Sequence, residues 1–144
     1  MTRTIFVLNG PNLNLLGRRE PEIYGSQTLD DIAALMTDHA ATLDLALDIR
    51  QSNHEGHLID WLHEAEADGA AAVILNAGGY SHTSVALHDA IRAIATSVFA
   101  VHISDPATRE PFRHTDLVAL AATWNITGKG TAGYILALDA AARL

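Results

Sequence analysis

The chain contains no cysteine and a single lysine, Lys129, and both shortages remove whole classes of chemistry. Without cysteine there is neither a disulfide framework nor a thiolate nucleophile, and composition carries no sign of an oxidising compartment. An imine-forming mechanism would rest on Lys129 alone, which stands between Gly128 and Gly130, far in sequence from the other polar motifs. Basic residues are scarce as well. Nine of them against seventeen acidic residues leave a net charge of −8, which disfavours a nucleic-acid backbone or an anionic membrane as partner. Long apolar runs are missing: the alanine-rich stretch from Ala65 to Leu75 is broken by Glu66, Asp68 and Gly69, and nothing approaches the roughly 20 apolar residues of a membrane span. The early run Ile5-Phe6-Val7-Leu8 is too short for a signal-peptide core and lacks a small-residue cleavage site. A soluble, cytoplasmic protein is the expectation.

What is present suits one domain over residues 1–144, of which 49% are hydrophobic, enough to bury a sizeable core. Short β-rich runs recur at Thr4 to Asn9, Leu45 to Arg50, Ala72 to Asn76, Ser97 to His102 and Thr123 to Thr127. Between and after them lie amphipathic stretches at Gln27 to Leu43, Glu55 to Ala67, Ser81 to Ala95 and Thr131 to Leu144, with Ser26 or Thr28 as candidate caps of the first. This alternation predicts an open, doubly wound parallel sheet with helices on both faces. In such a sheet ligands bind beyond the carboxyl ends of the strands, where strand order reverses. The polar segments after the first, third and fourth runs are therefore the candidate site.

Nucleotide binding is the first chemistry to weigh there, and its signatures are missing. Gly10 to Gly17 lacks the lysine and hydroxyl of a Walker loop, and Gly128-Lys129-Gly130 is neither GxGxxG nor placed after the first strand. No acidic pair follows the first run and no aspartate closes the third, which argues against a response regulator. Eight histidines raise the question of a metal, but His54 and His57 are a lone close pair without cysteine ligands, whereas zinc needs three or four convergent donors. No metal site is expected.

The most informative stretch is Leu8-Asn9-Gly10-Pro11-Asn12-Leu13-Asn14-Leu15-Leu16-Gly17-Arg18-Arg19-Glu20-Pro21-Glu22-Ile23-Tyr24-Gly25. A guanidinium held beside a phenol favours the phenolate, so a tyrosine near two arginines can serve as a base. Gly17 and Gly25 are candidate hinges of that loop. Arg18-Arg19 and the Arg109/Arg113 pair also supply local positive charge for an anionic substrate against the negative whole.

This stretch resembles the signature of the type II 3-dehydroquinate dehydratases, small lyases of the shikimate and quinate pathways. Two further blocks resemble the same family: Ile74 to Leu87, and Val101-His102-Ile103-Ser104 followed by Arg109 and Phe112-Arg113. The order and spacing match over most of the chain, including the terminal Gly133-Tyr134. The resemblance implies a flavodoxin-like five-stranded sheet in a three-layer α/β/α sandwich. It also implies an enzyme that dehydrates 3-dehydroquinate to 3-dehydroshikimate through an enolate, without cofactor or metal. By the family's pattern Tyr24 takes the proton, Arg19 activates Tyr24, Asn12 holds a water that stabilises the enolate oxygen, and His102 protonates the departing hydroxyl. Substrate contacts fall to Asn76, His82, Ile103, Ser104 and Arg113, while Asp89 reaches a neighbouring subunit's site in a homododecamer of four trimers. A noncatalytic small-ligand-binding paralogue using the same pocket is the alternative of a different class.

The match departs from the family pattern after Phe99. The family has glutamate two residues before the acid histidine, where this chain has Ala100, and the segment Asp105 to Pro111 and the ending Gly128 to Tyr134 are altered. Residues two apart on a strand share a face, so that glutamate can orient the imidazole and favour its protonated form. Ala100 can do neither. Either another group holds His102, with Asp105 the nearest acidic candidate in sequence, or the leaving group is protonated less efficiently.

Overall fold

The computed structural model describes residues 2–18 and 20–144. Among these residues the elements run β1 (Arg3–Asn9), α1 (Pro21–Tyr24), α2 (Leu29–Thr42), β2 (Leu45–Gln51), α3 (Glu55–Ala67), β3 (Ala72–Asn76), α4 (Val85–Ala93), β4 (Val98–Val101), α5 (Leu117–Ala121), β5 (Trp124–Ile126) and α6 (Ala132–Ala142). The strands form one sheet in the order β2-β1-β3-β4-β5, with every neighbouring pair parallel. This is the flavodoxin-like order, whose reversal point lies between β1 and β3.

The sheet is buried on both faces, which explains why β1 reads as a continuous apolar run rather than an alternating one. Ile5 and Val7 pack with Ile32 and Met36 of α2 and with Tyr134 and Leu138 of α6. Phe6 and Leu8 point the other way, toward Leu58 and Leu62 of α3, Leu87 and Ile91 of α4 and Val118 of α5. Three layers result, with α2 and α6 on one side of the sheet and α3, α4 and α5 on the other. Among the described residues no helix is long and apolar enough to cross a membrane.

Local chemistry sets the helix starts. The Thr28 hydroxyl accepts from the Asp31 amide at 3.1 Å while the Asp31 carboxylate accepts from the Thr28 amide at 3.0 Å, a capping box that selects Thr28 over Ser26. The stretch from Ser81 does not open as an α-helix, contrary to expectation. Gly78 to His82 form a 3-10 turn, and α4 starts only after Ser84, whose hydroxyl accepts from the Leu87 amide at 2.9 Å. The short α5, capped by Asp116, is an element the sequence pattern does not predict.

Asn9 and Asn76 end β1 and β3 side by side in register. Fully buried Tyr134 of α6 ties them together: its hydroxyl donates to Asn9 Oδ1 at 2.7 Å and accepts from Asn76 Nδ2 at 2.9 Å. Burial pushes this phenol above its usual range, against the opposing hydrogen bond from Asn76, so it stays a hydroxyl able to donate and accept at once. Tyr134→Phe should therefore strand two buried amides at a cost of about 1–3 kcal/mol. The expected thermal midpoint is lower by about 2–4 °C per kcal/mol, and an unchanged midpoint would show that these amides find other partners.

Candidate active site

The loop after β1 crosses the sheet's carboxyl edge in close contact with the loop after β3. The Gly10 amide donates to the Asn76 carbonyl at 2.8 Å, and a Cβ built on Gly10 would lie 2.6 Å from the Ala77 carbonyl oxygen. Only glycine allows that approach. Gly10→Ala should force the two loops apart, costing about 1–3 kcal/mol as an overpacked site does, and should weaken substrate binding. Calorimetric unfolding together with KM checks this, and a variant normal in both would contradict the close contact.

Beyond Gly10 the chain turns through Asn12, whose φ of 68° lies in the left-handed region that asparagine tolerates better than most residues. The turn is held from β2 and the loop after it. The Asn12 amide donates to Asn53 Oδ1 at 3.0 Å, and Gln51 Nε2 donates to the Gly10 carbonyl at 3.1 Å. Tyr80 in turn donates its hydroxyl to the Asn53 carbonyl at 2.8 Å. These bonds hold Asn12 in its left-handed conformation at the edge of the pocket.

Tyr24 is the last residue of α1, which opens on Pro21 and ends at Gly25, where φ is +82°. Its ring is buried in the cluster with Leu13, Leu16 and Ile103, so the phenol is held by packing. Arg109 Nη1 donates to the phenolic oxygen at 2.8 Å and to Ser104 Oγ at 3.3 Å. The Arg109 carbonyl accepts from His114 Nε2 at 3.0 Å, which pins the segment that carries the guanidinium. From sequence, Arg109 has a share in local positive charge and a place in the third family-like block, but no assigned role toward Tyr24. Its reach to Tyr24, across 85 residues of chain, is a finding of the structure. Arg19, assigned by resemblance as the activator of Tyr24, lies outside the described residues.

Across the cavity His82 and His102 stack with ring centres 5.8 Å apart and planes 14° from parallel. A carbonyl can only accept, so the 2.8 Å contact from His82 Nδ1 to the Thr115 carbonyl places a proton on that nitrogen. His82 is thus tethered by its ring and does not cap α4. His102 follows β4, and its Nε2 meets Asp116 Oδ2 at 2.8 Å. Burial acts to raise the Asp116 carboxyl, but hydrogen bonds from His102 and the Ala119 amide, with the charges of His102 and His82, outweigh it and leave the group below the usual carboxylate range.

Asp105, the nearest acidic candidate in sequence for holding His102, is not the group that meets it. Asp105 Oδ1 accepts from the Ala107 amide at 3.0 Å and caps the 3-10 turn Pro106–Thr108, so its carboxylate serves its own loop. Asp116 meets His102 instead, from the N-cap of α5, where the sequence signals nothing beyond a helix cap.

Asn12, Tyr24, Asn76, His82, His102, Ile103, Ser104 and Arg113 all line one cavity of about 160 Å³, together with Arg109. The turn after β4 is braced from behind, as the Ser104 and Ile103 carbonyls accept from the Gly128 and Gly130 amides at 3.1 and 3.0 Å. Arg113 Nε donates to Glu110 Oε2 at 2.7 Å, and that bond, against slight desolvation, holds the Glu110 carboxyl below its usual range. Asn76 is constrained at both ends of its amide, donating to Tyr134 and accepting from the Gly78 amide at 3.2 Å. Asp89 is the one predicted site residue in the described structure that does not line the cavity. It stands on α4 with 72% of its side chain exposed, beside His88. His54 and His57 pack their rings 4.7 Å apart, with His57 Nδ1 bonded to Ser52 Oγ at 2.7 Å.

A family model described as dehydroquinase class II matches residues 3–142. A 3-dehydroquinate dehydratase of Rhizobium johnstonii is 58% identical over 140 residues, covering 97% of this chain and 96% of that protein. The crystal structure of type II dehydroquinase from Propionibacterium acnes superposes with a TM-score of 0.95 at 42% identity, covering 100% of this chain and 99% of that one. The type II dehydroquinase of Butyrivibrio crossotus gives a TM-score of 0.95 at 36% identity over 97% of each chain.

Proposed function

Because the chain belongs to the dehydroquinase class II family and is an enzyme that dehydrates 3-dehydroquinate, we propose that the reaction runs in this cavity through an enolate, with Tyr24 as base and His102 as acid. The observation that carries this reading is the pairing across one cavity: a phenol bonded to a guanidinium on one side, an imidazole bonded to a carboxylate on the other. Loss of water from a β-hydroxy ketone needs both. Tyr24 removes the proton from the carbon beside the ketone, and a donor on the phenolic oxygen stabilises the charge that oxygen carries beforehand. The electrons rest on the ketone oxygen, where a water held by Asn12 donates to the enolate. As the enolate collapses, the carbon–oxygen bond to the β-hydroxyl breaks, His102 delivers a proton to the departing oxygen, and water leaves. Histidine suits this step because its charge changes near neutral pH.

In the same reading the amides of Ile103 and Ser104 take the substrate carboxylate, and Arg113 adds a planar set of donors. Asn76 and His82 bind the ring hydroxyls with the capacity their internal bonds leave them. Arg19 acts with Arg109 on Tyr24. The whole of residues 1–144 serves as one catalytic domain, working in the cytoplasm. The scheme calls on no cofactor or metal, and its product is the conjugated enone 3-dehydroshikimate. Rising ultraviolet absorbance on mixing with 3-dehydroquinate is the test, and binding of that compound without turnover would favour a noncatalytic role.

Assembly into a closed homo-oligomer, a dodecamer of four trimers, belongs to the proposal because Asp89 then completes a neighbouring subunit's site. Exposed Val85, Phe112 and Leu120 give such contacts apolar surface. A fully active monomer by light scattering would remove this part.

A further inference from the structure

We propose that Asp116 is a positioning residue for the reaction, orienting the His102 imidazole toward the leaving hydroxyl, in place of a carboxylate on β4 where this chain has Ala100. The inference rests on the reading of His102 as the acid. Ala100 packs in the same cluster as Val118 of α5, so the side of β4 that a carboxylate at position 100 would occupy is the side covered by the helix that Asp116 caps. The charge is supplied from the covering layer instead of from the strand.

The geometry fixes both oxygens of that carboxylate. Oδ1 accepts from the Ala119 amide at 2.8 Å, and Oδ2 faces His102 Nε2 at 2.8 Å. The two side chains are only 11% and 18% exposed, so the pair is screened far less than a surface ion pair. Nε2–H is committed to Asp116, which leaves Nδ1–H of the imidazolium to deliver the proton. When it passes to the leaving oxygen the ring becomes neutral and keeps its bond to Asp116.

The groups around the ring leave the task of orienting it to Asp116. Arg109 and Arg113 line the same cavity, and both disfavour a cationic ring; His82 stacks on that ring, and Tyr24 stands across the cavity. The nearby acidic groups are engaged elsewhere, Glu110 with Arg113 and Asp105 with the Ala107 amide. The depressed carboxyl of Asp116 agrees with a standing interaction with the two histidines.

The test compares Asp116→Asn with His102→Asn in the full-length enzyme, measuring kcat and KM for 3-dehydroquinate. Asparagine caps a helix as well as aspartate does, but with its one acceptor oxygen on the Ala119 amide it turns an NH2 group toward His102, so this variant removes both the charge and the acceptor that orients Nε2–H while keeping the cap. We expect kcat to fall by roughly tenfold or more, a share of the 10²–10⁴ that general acid catalysis supplies, with KM changed less than about twofold. Asp116→Ser keeps the cap but cannot span to His102, and should reproduce the loss should the asparagine variant fold poorly. If His102→Asn is inactive while both Asp116 variants keep the wild-type kcat and KM, the positioning role is wrong and the acid assignment stands. If His102→Asn turns over normally, the acid assignment itself falls and this inference falls with it.

Discussion

Tyr24→Phe is expected to lower kcat by roughly 10²–10⁴-fold, the contribution of a positioned general base, with KM changed only a fewfold. Phenylalanine keeps the ring that packs against Leu13, Leu16 and Ile103 and loses only the oxygen that accepts from Arg109. The guanidinium is not released by the change, because Arg109 Nη1 also donates to Ser104 Oγ at 3.3 Å. Binding groups stay in place while the base is gone, so the loss belongs in the chemical step. Steady-state kinetics with calorimetric binding separate the two terms. Turnover near wild type would remove Tyr24 from the mechanism.

Arg109→Ala should be nearly as severe, with kcat/KM down by about 10²-fold or more, in line with the loss of a charged hydrogen bond aimed at a developing or standing anion. Arg109→Lys should recover only part of this. A lysine supplies the charge but not the planar fork that bonds the phenolic oxygen and Ser104 together. A kcat/KM near wild type in the alanine variant would show that Arg109 is merely structural.

How much of this was readable beforehand differs by level. Three of the five β-runs, β1, β3 and β4, declare themselves as continuous apolar segments because the centre of the sheet is buried on both faces, while the edge strands β2 and β5 are mixed and only partly buried. The helix α5 escapes because five residues are too short to show a period, and the start of α4 is misplaced because Ser84, not the earlier Ser81, meets the first free amide. The strand-end residues of the site are legible from strand order alone, since Asn9 and Asn76 must meet at the reversal point. Partners supplied by loops are not. Arg109 reaches Tyr24 only because the segment after β4 folds back over α1, and no spacing encodes that. Asp105 fails as the partner of His102 despite being nearest in sequence, since a short aspartate side chain bonds its own turn first.

Exchange of the substrate's acidic hydrogen in heavy water tests the division of labour most directly. 3-Dehydroquinate incubated with each variant is recovered and its deuterium content read by mass spectrometry alongside product formation. His102→Asn should still exchange the hydrogen beside the ketone while dehydration is lost, because Tyr24 can form the enolate but nothing protonates the leaving hydroxyl. Tyr24→Phe should show neither exchange nor product. Exchange that persists in Tyr24→Phe, or that is lost in His102→Asn although substrate still binds, would contradict a tyrosine base and a histidine acid acting in successive steps.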